Sequence, residues 1–232
     1  GLRIPRVPLE PVGASAGGLA MPLALAWFAA GCIGSQTTHA AAMLLALDVQ
    51  YDTPRVGAAA VGLVGFDAWD SSAARFARRL LSDARPGDYQ AGAFYKRELP
   101  YLLEAVRALP VAPSVVLVDG HVWLDAEPSG QPRPGLGAHL HQALEGRVPV
   151  VGIAKNAFAR ACCAVSVVRG TSAKPLFVTS AGYELDRAAD GVRQMHGAHR
   201  IPTLIKLADQ LARGHARTRE TQGALADRNP TS

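Results

Sequence analysis

The chain has 232 residues, 49% of them hydrophobic and 19% charged, which is enough apolar material for one large globular domain with a sizeable core. Lysine and arginine outnumber aspartate and glutamate by 24 to 19, giving a formal net charge of +5, and this mild excess favours a polyanionic partner. The three cysteines are odd in number and two of them are adjacent, which argues against a disulfide framework or a zinc pair and indicates a reduced, cytoplasmic protein.

Residues 1–40 are predicted to be an N-terminal arm followed by an apolar segment. Residues 1–17 are rich in proline and glycine and lack periodicity, whereas residues 19–34 form the only long apolar run. Two interpretations of this run stay open, a helix that covers one face of a sheet or a signal-like segment. Because Pro22 and Gly31 interrupt it and it is short for a membrane span, no membrane association is expected.

The main domain is predicted to cover residues 41–213. Apolar runs at 42–48 and 56–66 flank a turn-like segment and predict two adjacent strands in a hairpin. Residues 75–82 are predicted as a strand on position alone, since their pattern also allows a short helix. Between 98 and 109 the apolar residues recur at helical spacing, which predicts an amphipathic helix with Glu98 in its first turn.

The second half of the domain centres on the run Val115–Val118, which ends at Asp119. Four consecutive apolar residues before an acid are typical of a buried strand whose carboxyl end lies at a functional edge of an α/β sheet. A strand at 148–154 would place Lys155 at the same edge if the two strands are parallel. The remaining predictions are a loop at 122–135, helices at 136–144, 185–196 and 203–212, a hairpin from 163–168 and 175–179, and a polar, mobile tail at 214–232.

Three carboxylates stand where such a sheet edge would bring them together: Asp48, Glu98 and Asp119. A fourth acid, Asp209, lies on the last predicted helix and could face the same cleft. Hard cations such as Mg²⁺ take oxygen ligands, and clustered carboxylates repel one another in the absence of a cation. If these acids meet, the sequence predicts a divalent metal among them.

Five short motifs follow one another along the chain. They are Asp48-x-x-Tyr51, Tyr89-x-x-Gly92 running into Arg97-Glu98, Val118-Asp119-Gly120-His121, Gly152-x-Ala154-Lys155, and Arg200-Ile201-Pro202 followed by Asp209. Over residues 42–212 this series resembles the endonuclease V family. The resemblance implies an α/β fold with a ribonuclease H-like mixed central sheet flanked by helices.

The same resemblance implies a divalent-metal-dependent endonuclease that recognises deaminated adenine, the hypoxanthine base of inosine, and hydrolyses a phosphodiester on its 3′ side. The implied cofactor is Mg²⁺, for which Mn²⁺ could substitute. The implied partner is DNA or RNA that contains deaminated bases, and the protein is expected to be a monomer.

The resemblance also implies a catalytic set. Asp48 and Asp119 would be the principal metal ligands, and Glu98 and Asp209 would complete the metal site directly or through water. Lys155 would neutralise charge on the phosphate or orient the attacking water.

Further residues would contact the nucleic acid. Tyr89 resembles the wedge residue that fills the gap left by an extruded base, while Gly92 and Gly120 would let backbone groups approach that base. His121 could touch a phosphate, hold an acid or make a structural hydrogen bond. Tyr51 is expected to pack or hydrogen-bond near the metal site.

Two segments depart from the family pattern. Residues 122–134 are longer than the family's short Gly and His-Pro-Arg connection, and the prolines that flank the wedge tyrosine in the family are absent around Tyr89. Both segments belong to the elements that hold the base. Two alternatives therefore stay open, a related metal nuclease with a different lesion or structure preference, and a nucleic-acid-binding protein without catalysis.

Overall fold

The computed structural model describes residues 42–51, 59–82, 95–126, 130–158 and 163–220. Predictions for the N-terminal 40 residues, and for Tyr89 and Gly92, fall outside the described residues.

The described residues form ten strands and four helices. The strands are β1 Leu44–Tyr51, β2 Ala59–Phe66, β3 Phe76–Ser82, β4 Val115–Asp119, β5 Trp123–Ala126, β6 Pro132–Pro134, β7 Val150–Ala154, β8 Val165–Val167, β9 Leu176–Ala181 and β10 Arg219–Glu220. The helices are α1 Tyr95–Arg107, α2 Leu136–Ala143, α3 Leu185–Gln194 and α4 Thr203–Ala212.

Eight of these strands build one mixed sheet in the order β10-β3-β2-β1-β4-β7-β9-β8. β1 is antiparallel to β2 and parallel to β4, and β4 is parallel to β7. The predicted hairpins, the strand at 75–82 and the parallel arrangement of the strands that end near Asp119 and Lys155 are confirmed. The carboxyl ends of β1, β4 and β7 therefore lie at one edge of the sheet.

Helices cover both faces of the sheet. The buried residues of α1 and α2 pack in one apolar cluster, whereas those of α3 and α4 pack in a second cluster on the opposite face. Side chains of a strand alternate between faces, so Leu45 and Leu47 of β1 join the first cluster and Leu44 and Ala46 join the second. The mixed sheet between helical layers confirms the predicted fold class.

Two predicted segments differ from the structure. The predicted loop at 122–135 contains a small two-stranded sheet formed by β5 and β6, because its prolines occupy the short edge strand β6, where no ladder donor is needed. The tail predicted from residue 214 begins too early, since Arg219 and Glu220 pair with Ala77 and Phe76 of β3. Among the described residues, no helix has the length and apolar character needed to cross a membrane.

Candidate active site

Asp48 and Asp119 lie side by side where the parallel pairing of β1 with β4 ends. The last paired residues of β1 and β4 are Leu47 and Val118, and each acid is the next residue along its strand. Both side chains belong to the face on which α4 packs, because Ala46 and Leu117, two residues earlier, are buried in that cluster. The strand register thus directs both carboxylates to the same point.

Asp209 reaches these acids because α4 lies very close to the sheet. Asp48 pairs across the sheet with Gly62 of β2. A Cβ atom at Gly62 would lie 1.9 Å from the backbone oxygen of Ala208, so only glycine allows this approach. Asp209 is the next residue of α4, and its carboxyl group shares a hydrogen bond with that of Asp48.

Glu98 approaches the same acids from α1. It lies in the first turn of that helix and is largely withdrawn from water. Burial, followed by the charges of Asp48 and Asp119, raises its pKa to about 8, while Arg97 acts in the opposite direction. The charge effects show that all three acids share one environment.

Burial also raises the pKa of Asp48, to about 7, with further contributions from the charge of Asp119 and the hydrogen bond to Asp209. Burial acts on Asp209 in the same direction, but its hydrogen bonds with Arg213 and Asp48 outweigh that effect and hold its pKa below the usual range. Asp48 is therefore the acid of this pair that is harder to ionise.

Two side-chain cations partly balance this negative charge. Lys155 Nζ lies 2.6 Å from Asp119 Oδ2, and Arg213 Nε lies 2.8 Å from Asp209 Oδ1. Burial lowers the pKa of Lys155, but the hydrogen bond to Asp119 and the charges of the neighbouring acids raise it by more. Lys155 is thus held as a cation beside the acids.

A cavity of about 340 Å³ opens over the acids and is lined by Asp48, Asp119, Lys155 and Asp209 together with residues 199–201, 205 and 206. Arg200 joins the two sides of this cavity, since its guanidinium donates hydrogen bonds to the backbone oxygens of Lys155 and, at 2.7 Å, of Pro175. The motif arginine thereby braces the end of β7 that carries Lys155.

The remaining motif residues surround this centre. Gly120 has φ of 140° and its Cβ position has no atom within 4 Å, so the backbone after Asp119 is open. The sequence left three roles open for His121, and the structure shows the structural hydrogen bond among them, between Nε2 and the backbone oxygen of Asn156 at 3.0 Å. Tyr51 packs as expected, with the guanidinium of Arg97 4.7 Å above its ring.

The acids fit a hard divalent cation by their chemistry, since oxygen ligands from several carboxylates are what such ions bind. In the described part of the chain, no group of three or more acidic, histidine or cysteine side chains is arranged to hold a metal ion. Lys155 and Arg213 bind two of the four acids, and the carboxyl groups of Asp48 and Asp209 contact each other. Displacing these contacts would free the oxygens for a cation.

Sequence reasoning missed two residues that shape this site. Arg213 stands four residues after Asp209, a spacing that places both on one side of a helix and was visible in the sequence. Gly62 interrupts an otherwise apolar strand, and an isolated glycine in a strand often marks a close backbone approach.

The pKa shifts lead to a prediction for the protein without metal. The pKa of Glu98 is raised from 4.5 to about 8, so its contribution to stability is present below about pH 4.5 and is lost as the pH rises through 8. We expect the Glu98→Gln variant to be more stable than the wild type at pH 9, by on the order of a few kcal/mol, and to show a smaller fall with pH. Thermal unfolding in EDTA from pH 5 to 9 measures this.

Glu104→Gln is the matched control, because Glu104 lies on the exposed side of the same helix. If Glu98→Gln and Glu104→Gln change the pH profile equally, Glu98 does not share the buried environment of the other acids.

Comparison with known proteins gives the chain its family. The family profile of endonuclease V matches residues 32–169, which is more than half of the chain. A curated endonuclease V from Streptomyces avermitilis is 33% identical over 190 residues, covering 72% of this chain and 77% of that protein. The crystal structure of endonuclease V from Streptomyces avermitilis superposes with a TM-score of 0.58 at 26% identity, covering 74% of this chain and 80% of that one.

A structure of Ciona intestinalis endonuclease V, in complex with a 24mer DNA containing an inosine followed by a ribo-adenosine, has a TM-score of 0.61 at 18% identity. The match covers 75% of this chain and 84% of that one. The mixed sheet and its flanking helices thus define a protein with a ribonuclease H-like fold. The chain belongs to the endonuclease V family and is an endonuclease.

Proposed function

We propose that this protein is a divalent-metal-dependent endonuclease that recognises deaminated adenine in nucleic acid and hydrolyses a phosphodiester on its 3′ side. The observation that carries the proposal is the meeting of Asp48, Asp119 and Asp209 beside Lys155 at one edge of the sheet. Acids from two parallel strands and a helix converge there on an open cavity, which is where an α/β sheet places its chemistry.

Asp48 and Asp119 would hold the metal, with Glu98 and Asp209 as further ligands, directly or through water. A bound Mg²⁺ or Mn²⁺ would supply Lewis-acid stabilisation of the phosphate and a more acidic water. The raised pKa values of Asp48 and Glu98 support this assignment, because buried carboxyls that resist ionisation are stabilised as anions by a nearby cation.

The cavity supplies the other half of the chemistry through its cations. Lys155, Arg200 and Lys206 all line it together with the acids. A phosphodiester that enters would meet both carboxylates and cations. Lys155 would move from Asp119 to a phosphate oxygen, and that exchange would release Asp119 for the metal.

Two observations support deaminated adenine as the recognised base: a family member's complex with inosine-containing DNA and the open backbone at Gly120. The Ciona intestinalis relative was crystallised with inosine-containing DNA. In this chain a side chain at residue 120 would be strained by the positive φ, and the space around it is empty. Backbone groups there could therefore approach a flipped base and its O6 and N1–H groups.

A second candidate is a related nuclease with a different lesion or structure preference. It is favoured by the segment after His121, where β5 and β6 form a small sheet in place of a short connection. Arg133 of β6 forms an ion pair with Asp125 of β5 at 2.8 Å, so this hairpin is held together by its own contacts. An altered element at the base-holding edge would change which base is read without changing the acids.

Nicking of matched duplexes, with and without a single deoxyinosine, tests both candidates. The same comparison is made with single-stranded RNA containing inosine, in Mg²⁺, Mn²⁺ and EDTA. Metal-dependent cutting on the 3′ side of the inosine supports the proposal. Equal cutting of the unmodified strand supports the second candidate, and a protein that cuts none of these substrates overturns both.

The Lys155→Gln variant is expected to reduce cleavage by about a hundredfold, because a charge that contacts the phosphate is lost while the strand end stays in place. Single-turnover rates with deoxyinosine DNA measure the effect. Lys174→Gln, which removes an exposed lysine from the turn before β9, should cut at the wild-type rate. Equal rates for wild type and Lys155→Gln would exclude Lys155 from the reaction.

A further inference from the structure

A row of arginines leads away from the cleft towards the edge of the sheet. We call it the arginine edge, and it consists of Arg79 on β3, Arg213 and Arg217 after α4, and Arg219 on β10. Neither the metal site nor the base-reading segments use it, apart from the ion pair of Arg213 with Asp209.

The strand register places the arginine edge in line with the catalytic acids. Asp48 pairs with Gly62, and Gly62 in turn pairs with Arg79, so Asp48 and Arg79 lie in one row across three strands. Paired residues share a face of a sheet, and the Nε of Arg79 donates to the backbone oxygen of Ala212 at the end of α4. The arginine edge therefore lies on the same face as the acids.

The arginine edge is strongly positive over its exposed part. Between residues 205 and 219 five basic residues, one of them a histidine, accompany one acid, Asp209, which Arg213 binds, and Glu220 follows Arg219. Arg217 and Arg219 are exposed, and within the described part of the chain neither makes an ion pair or a side-chain hydrogen bond. The guanidinium groups of Arg217 and Arg219 thus face solvent and are not paired with a carboxylate in the described part of the chain.

We propose that the arginine edge binds the phosphate backbone of the substrate on one flank of the scissile bond, an inference that rests on the proposed function. Guanidinium groups present planar forks that match phosphate oxygens, and backbone contacts of this kind position a nucleic acid without reading its sequence. β10 lies three strands from β1, which at a spacing of about 4.8 Å is about 14 Å from the acids. At about 3.4 Å per nucleotide, this corresponds to about four nucleotides from the cut.

The test compares two double variants of the full-length protein that lose the same net charge. Arg217→Gln with Arg219→Gln alters the arginine edge, and Arg107→Gln with Arg187→Gln removes two exposed charges from α1 and α3, elsewhere on the molecule. Binding of a fluorescent deoxyinosine duplex is measured in EDTA over a range of salt concentrations. For the first variant we expect weaker binding and a salt-dependence slope that is smaller by about 1 per arginine.

Substrate trimming then tests the position of the contact. Substrates are shortened stepwise on the 5′ or the 3′ flank of the inosine, and KM and kcat are compared. On the flank that contacts the arginine edge, the wild type and the arginine-edge variant should have the same KM once fewer than about four nucleotides remain. On the other flank, trimming should leave the KM difference in place. The kcat at saturating substrate should be unchanged in this variant, because neither Arg217 nor Arg219 touches the reacting atoms.

Three results would overturn the inference: equal salt slopes for the two double variants, a variant effect that survives trimming on both flanks, or a wild type that does not bind nucleic acid. The first two leave the proposed function intact, because wild-type cleavage of inosine substrates is measured in the same experiment. The third would remove the proposed function as well.

Discussion

Replacement of Asp119 by asparagine is expected to abolish strand cleavage while leaving the fold intact. Asparagine keeps the shape of the side chain but removes the charge that Lys155 binds and that a metal would require. The cleavage rate should fall by about a hundredfold to a thousandfold, the range for removing one preorganised electrostatic contact from a catalytic centre. Single-turnover cleavage of deoxyinosine DNA at saturating Mg²⁺ measures it.

Asp190→Asn is the matched control, since Asp190 is an exposed acid on α3 that is paired with Arg193. Thermal unfolding of both variants shows whether the fold is retained. Wild-type cleavage by a folded Asp119→Asn protein would remove Asp119 from the catalytic set and would contradict the proposed metal site.

The Gly62→Ala variant is expected to lose both stability and activity. Its new methyl group would lie 1.9 Å from the backbone oxygen of Ala208, so α4 must move away from the sheet. Overpacking of this kind costs about 1–3 kcal/mol, and the movement would separate Asp209 from Asp48. We therefore expect a lower Tm, together with reduced cleavage at temperatures where the variant is still folded.

Gly65→Ala provides the comparison within the same strand. A methyl group there would meet ring atoms of Phe76, a side chain that is only partly buried and can shift. Gly65→Ala should keep its activity even if its Tm falls. If both variants lose stability and keep full activity, the close approach of α4 does not position Asp209.

Much of the sheet was predictable because its central strands are buried on both faces. β2, β4, β7 and the first half of β1 are nearly continuous apolar runs. β4 ends at Asp119, and β7 ends just before Lys155. That pattern indicated the edge at which Asp119 and Lys155 meet. The helical spacing around Glu98 was equally direct.

The parts that were missed depend on contacts between distant segments. The approach of α4 to β2 rests on Gly62 and Ala208, which are far apart in the sequence and carry no joint signal. The hairpin of β5 and β6 was hidden because prolines in a segment argue against a strand unless the strand lies at an edge. The raised pKa of Asp48 depends mainly on burial, which the order of residues does not show.

The loop that precedes α4 is held by the buried guanidinium of one arginine. Arg169 is only 6% exposed, and its guanidinium donates to the backbone oxygens of Met195, Gly197, His199 and Arg200. Burial lowers its pKa, but an arginine side chain stays charged throughout the range in which proteins fold.

His199 and Arg200, which line the cleft, are thus held through their backbone oxygens by a permanent cation, whereas burial raises the pKa of Asp48 in the same cleft to about 7. A change of pH would therefore alter the charge of the acids and leave the hydrogen bonds of Arg169 unchanged.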